Sequence, residues 1–314
     1  MTWYGGFVVV GMMLGATAVA CSSSSGDGGS VSSDQASGDA ANALCQKIDA
    51  CSSFLIAETY GDAATCASRI KSSFVGSLAA SATGATPAHL EACAKAIPAI
   101  SCDDALGNGT PAACQPVAGH LAAGAACGDS SQCESAYCNV GTDGTCGACA
   151  ASRASTGDTC NRDDDCTVGA VCNAGKCSSL AAAGATCSDA LPCLKTLVCK
   201  AGTCATADEA GAPCSTGTCD ALAGLFCSIA APHVCVKIGL AAAGEACFAV
   251  NGGGFTACSN GGLCNRAALA TTGTCEAPAA DGGSCDDTSG PPCMPPAVCS
   301  AAKVCTIAAP DTCH

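Results

Sequence analysis

Six times along this chain a glycine stands three positions ahead of a cysteine that opens a group of four. The pairs are Gly124 and Cys127, Gly157 and Cys160, Gly184 and Cys187, Gly211 and Cys214, Gly244 and Cys247, and Gly282 and Cys285. The first cysteines are spaced by 33, 27, 27, 33 and 38 residues, and the lead-in Leu-Ala-Ala recurs at Leu121, Leu180 and Leu240. A fixed offset at a near-regular period marks a tandem array. Two groups have one spacing, C-x5-C-x5-C-x4-C: Cys160, Cys166, Cys172, Cys177, and Cys187, Cys193, Cys199, Cys204. The others group as Cys127, Cys133, Cys138, Cys146; Cys214, Cys219, Cys227, Cys235; Cys247, Cys258, Cys264, Cys275; and Cys285, Cys293, Cys299, Cys305. The middle gap varies least, so the frame lies around the second and third cysteines and the outer gaps are loops.

Units this short cannot bury a conventional core, and the composition agrees. The chain has 33 cysteines in 314 residues and is 49% hydrophobic, but alanine and cysteine supply most of that share. Aromatic residues are 3%. A single large α/β or β-barrel core is excluded, and covalent staples take its place. The fold class expected is small and disulfide-rich: a helical cysteine-rich N-terminal domain followed by tandem small knots with short β-hairpins.

Each knot is expected to hold a hairpin that turns at a segment such as Asn173-Ala-Gly175 or Lys200-Ala-Gly202. The glycine of the lead supplies a turn with positive φ. Four cysteines allow three connectivities. First-to-third with second-to-fourth is favoured, because interlocked bridges tie both strands to the lead-in, whereas first-to-second with third-to-fourth leaves two independent rings. Cys160, Cys166, Cys172, Cys177, Cys187, Cys193, Cys199 and Cys204 are the disulfide cysteines of the two most regular units. Cys149 and Cys313 fall outside the groups. They could close locally, join neighbouring units, or leave Cys313 for another chain.

Residues 41–114 carry helical spacing. Leu44, Ile48, Cys51 and Leu55 form one stripe, and Cys66, Ile70, Phe74 and Leu78 another. Thr86-Pro87 is a helix start, followed by Leu90, Cys93 and Ile97 on one face. Ser101 with Asp104 caps a short last helix.

The first forty residues are an export signal and a tether. Phe7 to Ala20 is an unbroken run of apolar and small residues, shorter than the roughly 20 apolar residues a membrane span needs. Residues 1–20 are therefore expected to be a signal peptide. Ala18-Val19-Ala20-Cys21 resembles a bacterial lipobox, in which Cys21 is acylated and becomes the mature N-terminus. Setting Cys21 aside leaves an even number of cysteines to pair. Residues 21–40 then form the lipidated Cys and a flexible Ser/Gly linker, with a reach of about 24 Å. The lipoprotein resemblance implies acyl chains in a lipid bilayer. Ser22, in place of an aspartate, implies the outer membrane. A plain secreted protein is the alternative.

The G-x-x-C lead with C-x5-C-x5-C-x4-C resembles the cysteine-rich repeats likened to the Dickkopf N-terminal region. Tandem arrays of them behind a helical cysteine-rich segment resemble bacterial cysteine-rich surface lipoproteins. The likeness spans about residues 41–313 and rests on cysteine spacing, so it implies architecture. No receptor contact of the Dickkopf proteins is matched. The domain organisation expected is 1–20 signal peptide, 21–40 linker, 41–114 helical domain and 115–313 six repeats.

Chemistry is sparse. A formal charge of −14 without a Lys/Arg cluster argues against nucleic acid. Cys146-Gly-Ala-Cys149 is the only C-x2-C, which does not suit a zinc knuckle. Asn161, Asp163 and Asp165 imitate the start of a calcium loop, but Cys166 stands where its glycine belongs; a solvated acidic turn is expected. His89, His120, His233 and His314 lie in no catalytic motif. Hence no catalytic residue, cofactor or metal is assigned. The function expected is a cell-surface binding or adhesion module for an unknown protein or polysaccharide ligand. A passive stalk or coat protein is the alternative, and a secreted peptidase inhibitor the third. Phe248, Phe255 and Arg266 of the fifth unit are the best candidate ligand loop, because aromatic and Arg side chains dominate binding hot spots.

Overall fold

The computed structural model describes residues 31–313 apart from 108, 141–145, 251–253, 268–269, 287–288 and 308. The expected signal segment, Cys21 and the first half of the expected linker lie outside the described residues.

Among the described residues five α-helices come first: α1 (Ser33–Cys51), α2 (Ser53–Thr59), α3 (Ala63–Ala79), α4 (Pro87–Ala96) and α5 (Cys102–Leu106). Helix α1 begins well inside the expected linker. The Ser32 hydroxyl accepts from the Gln35 N–H, and Asp34 sits in the first turn, so a Ser/Asp-rich stretch that looks like a tether is a capped helix start. Its buried stripe is Ala36, Ser37, Ala40, Ala41 and Cys45, small residues that let α3 approach closely. The expected stripe from Leu44 to Leu55 does not hold as one helix. Ser52 (φ −157°) ends α1 and caps α2, and it is Ile56 rather than Leu55 that is buried. Thr86 caps α4 and Ser101 caps α5, as their side chains suggest. The helical core gathers Ala41, Cys45, Ile56, Cys66 and Ala67, flanked by Ile48, Tyr60, Ile70 and Phe74. Three bridges lock it: Cys45–Cys66, Cys51–Cys102 and Cys93–Cys114.

Six repeats follow, whose strands form five sheets among the described residues. The first repeat holds β1 (Ala126–Cys127), β2 (Cys138–Val140) and β3 (Gly147–Cys149); the second, β4 (Ala170–Asn173) and β5 (Lys176–Ser179); the third, β6 (Leu197–Lys200) and β7 (Thr203–Thr206). The fourth holds β8 (Leu225–Cys227) and β9 (Cys235–Ala241); the fifth, β10 (Ala246–Val250), β11 (Gly254–Cys258), β12 (Leu263–Asn265) and β13 (Gly273–Glu276); the sixth, β14 (Val298–Cys299) and β15 (Cys305–Thr306). The hairpins of the second and third repeats turn at Ala174-Gly175 and Ala201-Gly202, all four with positive φ, the geometry of a type I′ turn. The fourth and fifth repeats merge into one six-stranded sheet, because β9 runs parallel to β11.

One construction serves all six repeats. The lead glycines have φ between 78° and 94°. Each donates its N–H to the carbonyl of the last cysteine of its unit at 2.8 Å: Cys149, Cys177, Cys204, Cys235, Cys275 and Cys305. That cysteine's N–H returns to the residue after the glycine at 2.8–2.9 Å. Bridges then cross beneath, first to third and second to fourth: Cys160–Cys172 with Cys166–Cys177, and Cys187–Cys199 with Cys193–Cys204. The fourth, fifth and sixth repeats pair alike. The crossed cystines and one to three apolar neighbours are the core of each unit.

The first repeat corrects the sequence grouping. Its bridges are Cys127–Cys138 and Cys133–Cys149, so Cys149 rather than Cys146 is its fourth member. Hairpin register decides this. In the later repeats the third and fourth cysteines face each other across the hairpin, as Cys172 faces Cys177, and in the first repeat Cys138 faces Cys149. Cys146, just ahead of β3, pairs with Cys313. All 32 cysteines among the described residues are bridged, in 16 disulfides, so the protein matures in an oxidising compartment and is exported. Among the described residues no helix is long and apolar enough to cross a membrane.

The array folds back on the helices. The first repeat meets the end of α3, where the Gln132 side chain donates to the Ser81 carbonyl. In the third, Thr196 donates to Asp103 of α5. In the fourth, the Leu222 carbonyl accepts from Ser52. In the fifth, the Gly261 N–H donates to the Glu58 carbonyl. In the sixth, Asp281 takes both prongs of Arg69 at 2.6 and 2.8 Å. The tail returns to the segment just after α3, where Ser81 donates to Asp311.

Candidate functional site

The fifth repeat brings its three singled-out side chains together. Phe248 lies on β10 with φ 78°, and Phe255 lies on the neighbouring β11. Their rings meet edge to face at 5.7 Å. Arg266 follows β12, donates to the Ala270 carbonyl, and sets its guanidinium carbon 3.6 Å from the Phe248 centroid. An exposed cation over a half-buried ring is a modest attraction, of about 0.5–1 kcal/mol.

A fourth member escaped the sequence reading. Phe226 of β8 meets Phe255 edge to face at 5.9 Å across the shared sheet, so the cluster also fastens the fourth repeat to the fifth. A signal for it exists. The residue before the third cysteine is large in every repeat: Tyr137, Val171, Val198, Phe226, Leu263 and Val298. Beside Phe255, a depression of about 390 Å³ opens between Glu58 and Thr59 of α2 and Leu263, Pro292 and Pro295. Burial holds the Glu58 carboxyl above its usual pKa.

A second cluster lies where the first repeat meets the second. The buried Tyr137 hydroxyl donates to Asp165 at 3.3 Å, and Arg153 lies over its ring at 5.3 Å. Arg162 stands 3.8 Å from Asp165. Burial and the Asp165 charge push the Tyr137 pKa up to about 12. A groove of about 760 Å³ runs from this cluster to Phe74, Leu78 and Leu90 of the helical domain.

The calcium-like acidic run is neither a loop site nor a solvated turn throughout. Asp165 is 4% exposed and accepts from the Asn161 and Arg162 N–H groups, while Asp163 accepts from the Cys172 N–H. These carboxylates cap backbone amides. Gln132 does the same work in the first repeat, accepting from Gly128 and Asp129, as does the Thr218 hydroxyl from Ser215 in the fourth. The sulfur triads, such as Cys160, Cys166 and Cys177, lie within 4.8 Å of one another, but every sulfur is in a disulfide and offers no thiolate. Of the histidines, the His89 ring contacts the Gln115 carbonyl and the His233 ring the Ser228 carbonyl.

Residues 159–206 match a family described as a domain of unknown function (DUF7107). The match covers the second and third repeats, the two with identical cysteine spacing. Comparison with curated proteins and with solved structures finds no match.

Proposed function

We propose that this chain is a non-enzymatic lipoprotein, anchored in the outer membrane by acyl chains on Cys21, whose folded part is a binding head. The contact surface is the cluster of Phe248, Phe255 and Arg266. The observation that carries this reading is the guanidinium of Arg266 standing exposed over Phe248 at the sheet shared by two repeats. Aromatic and Arg side chains on a rigid scaffold are the groups that contribute most to protein recognition. Repeats held against the helical domain favour a head over an extended stalk. Its ligand is a protein or polysaccharide of a cell surface.

Two measurements test this. Cys21→Ala should move the protein out of the membrane fraction; a variant that stays there overturns the anchor. The mature wild type and an Arg266→Ala, Phe248→Ala variant are then compared in sedimentation with isolated envelope polysaccharide and envelope protein. Binding should fall at least tenfold with the disulfide count unchanged. Equal binding overturns the site, and wild-type protein that binds neither fraction overturns the reading.

A further inference from the structure

Fifteen of the sixteen bridges close inside the helical domain or inside one repeat. Their sequence separations run from 11 to 51 residues, whereas Cys146–Cys313 spans 167 and ties the first repeat to the tail beyond the sixth. We propose that Cys146–Cys313 is a thiol-exchange site, a latch that a dithiol reductant opens while the other bridges stay closed.

Three observations support this. First, Cys146 and Cys313 stand outside the crossed clusters. Within a repeat, sulfurs of both bridges lie within 4.8 Å of one another. A thiol released there stays beside its partner, held by the second bridge and by the hairpin, and recloses. No second bridge holds Cys313 to Cys146. Second, both residues are half-buried, whereas eleven of the twelve repeat bridges have at least one buried cysteine; of the two other bridges half-buried at both ends, Cys214–Cys227 sits in a crossed cluster and Cys51–Cys102 closes between two packed helices. Accessible disulfides are the ones that exchange. Third, the tail has a purpose-built seat. A side chain on Gly128 would put its Cβ 2.6 Å from Pro310 Cα and 3.1 Å from Cys313 Sγ, so only glycine admits the tail there. Two hydrogen bonds of 2.7 Å from Ser81 to Asp311 add to the seat. The seat is not covalent, so opening the bridge lets the tail leave it.

The exchange is balanced. A reductant thiolate attacks one sulfur of the bridge, forms a mixed disulfide with it and expels the other as thiolate. The reductant's second thiol then displaces the remaining cysteine. Two electrons pass to the protein, Cys146 and Cys313 end as thiols, and the reductant leaves as its own disulfide. The closed path through helices and repeats is then open between the first repeat and the tail.

Native mature protein is titrated with dithiothreitol, quenched with iodoacetamide and mapped by mass. The first two alkyl groups should fall on Cys146 and Cys313, at a reductant concentration at least tenfold below that which opens any other pair. Gly128→Ala should lower that concentration a further threefold or more. The paired variant Cys146→Ser, Cys313→Ser should keep fifteen bridges and show faster amide exchange in residues 307–313 and at Ser81. A repeat bridge opening first, all bridges opening together, or unchanged exchange in the paired variant overturns the proposal.

Discussion

A lead glycine such as Gly184 is chosen for its backbone, not for space. A Cβ added there would meet nothing within 4 Å, yet its φ is 78°. An L-residue in that conformation costs about 1 kcal/mol or more. Gly184→Ala should therefore lower stability by about 1 kcal/mol in urea unfolding, while D-alanine introduced by chemical ligation should cost nothing. Equal losses from both would mean that crowding matters instead. This feature was legible in the sequence because one residue type alone does the work. The buried amide-capping side chain ahead of the second cysteine was not legible. Gln132, Asp165 and Thr218 perform that role with three different chemistries, and the acidic run around Asp165 imitated a solvated turn. Its partner Tyr137 gives the residue scale a pH dependence. The phenol is held neutral in the fold up to about pH 12, against about 10 in the unfolded chain. Below the unfolded value the phenol is protonated in both states and its full contribution is present. As pH rises through that window the unfolded chain loses its proton first, so the contribution is lost. The stability gap between wild type and Tyr137→Phe should narrow over that range; a constant gap would overturn the assignment.

The hairpins show what period and turn chemistry reveal at the scale of elements. Asn173-Ala-Gly175 and Lys200-Ala-Gly202 announced two tight turns, and both occur, in the type I′ geometry that matches strand twist. Alanine is a poor choice at the first of the two central positions. Ala174 has φ 49° and Ala201 φ 48°, a region that asparagine tolerates far better. Ala174→Asn and Ala201→Asn should each stabilise by about 0.5–1 kcal/mol, read as a higher urea midpoint with an unchanged slope. A loss of stability would show that the exposed alanine methyl is packing against something. Helix α1 was half hidden for the opposite reason. Its early turns hold Ser, Asp, Gly and Ala, a composition shared with linkers, and only the packing of Ala36, Ala40 and Ala41 under the other helices distinguishes it. The interlocked pairing could be favoured because separate first-to-second and third-to-fourth rings would leave a unit so poor in apolar residues with little to hold it together. The membership of Cys149 could not, because it depends on the register of β2 with β3.

For the molecule as a whole, the return of the repeats onto the helices left almost no trace in the sequence. Many of those contacts are made by backbone groups that every residue possesses: Asn260 N–H to the Ala57 carbonyl, Gly261 to Glu58, His120 to Ala82, and Gly84 to Ser131. Side chains add several grips, and that of Arg69 makes four hydrogen bonds. From α3 it grips both oxygens of Asp281 and also donates to the carbonyls of Met294 and Pro295. The same grip holds the Asp281 carboxyl below its usual pKa. Asp281 immediately precedes the lead glycine Gly282, so the fork fixes the sixth repeat where its chain begins to turn. A forked guanidinium cannot be replaced by a point charge. Arg69→Ala should cost about 2–3 kcal/mol, the scale of removing hydrogen bonds to a charged group. Arg69→Lys should recover less than half of that. Both should speed amide exchange at Gly282 and Cys305, whose ladder the fork supports, and leave the second and third repeats unchanged. Exchange that rises evenly across all repeats would mean that the helices and the array unfold as one unit, and that no repeat is held to the helical domain by a grip of its own.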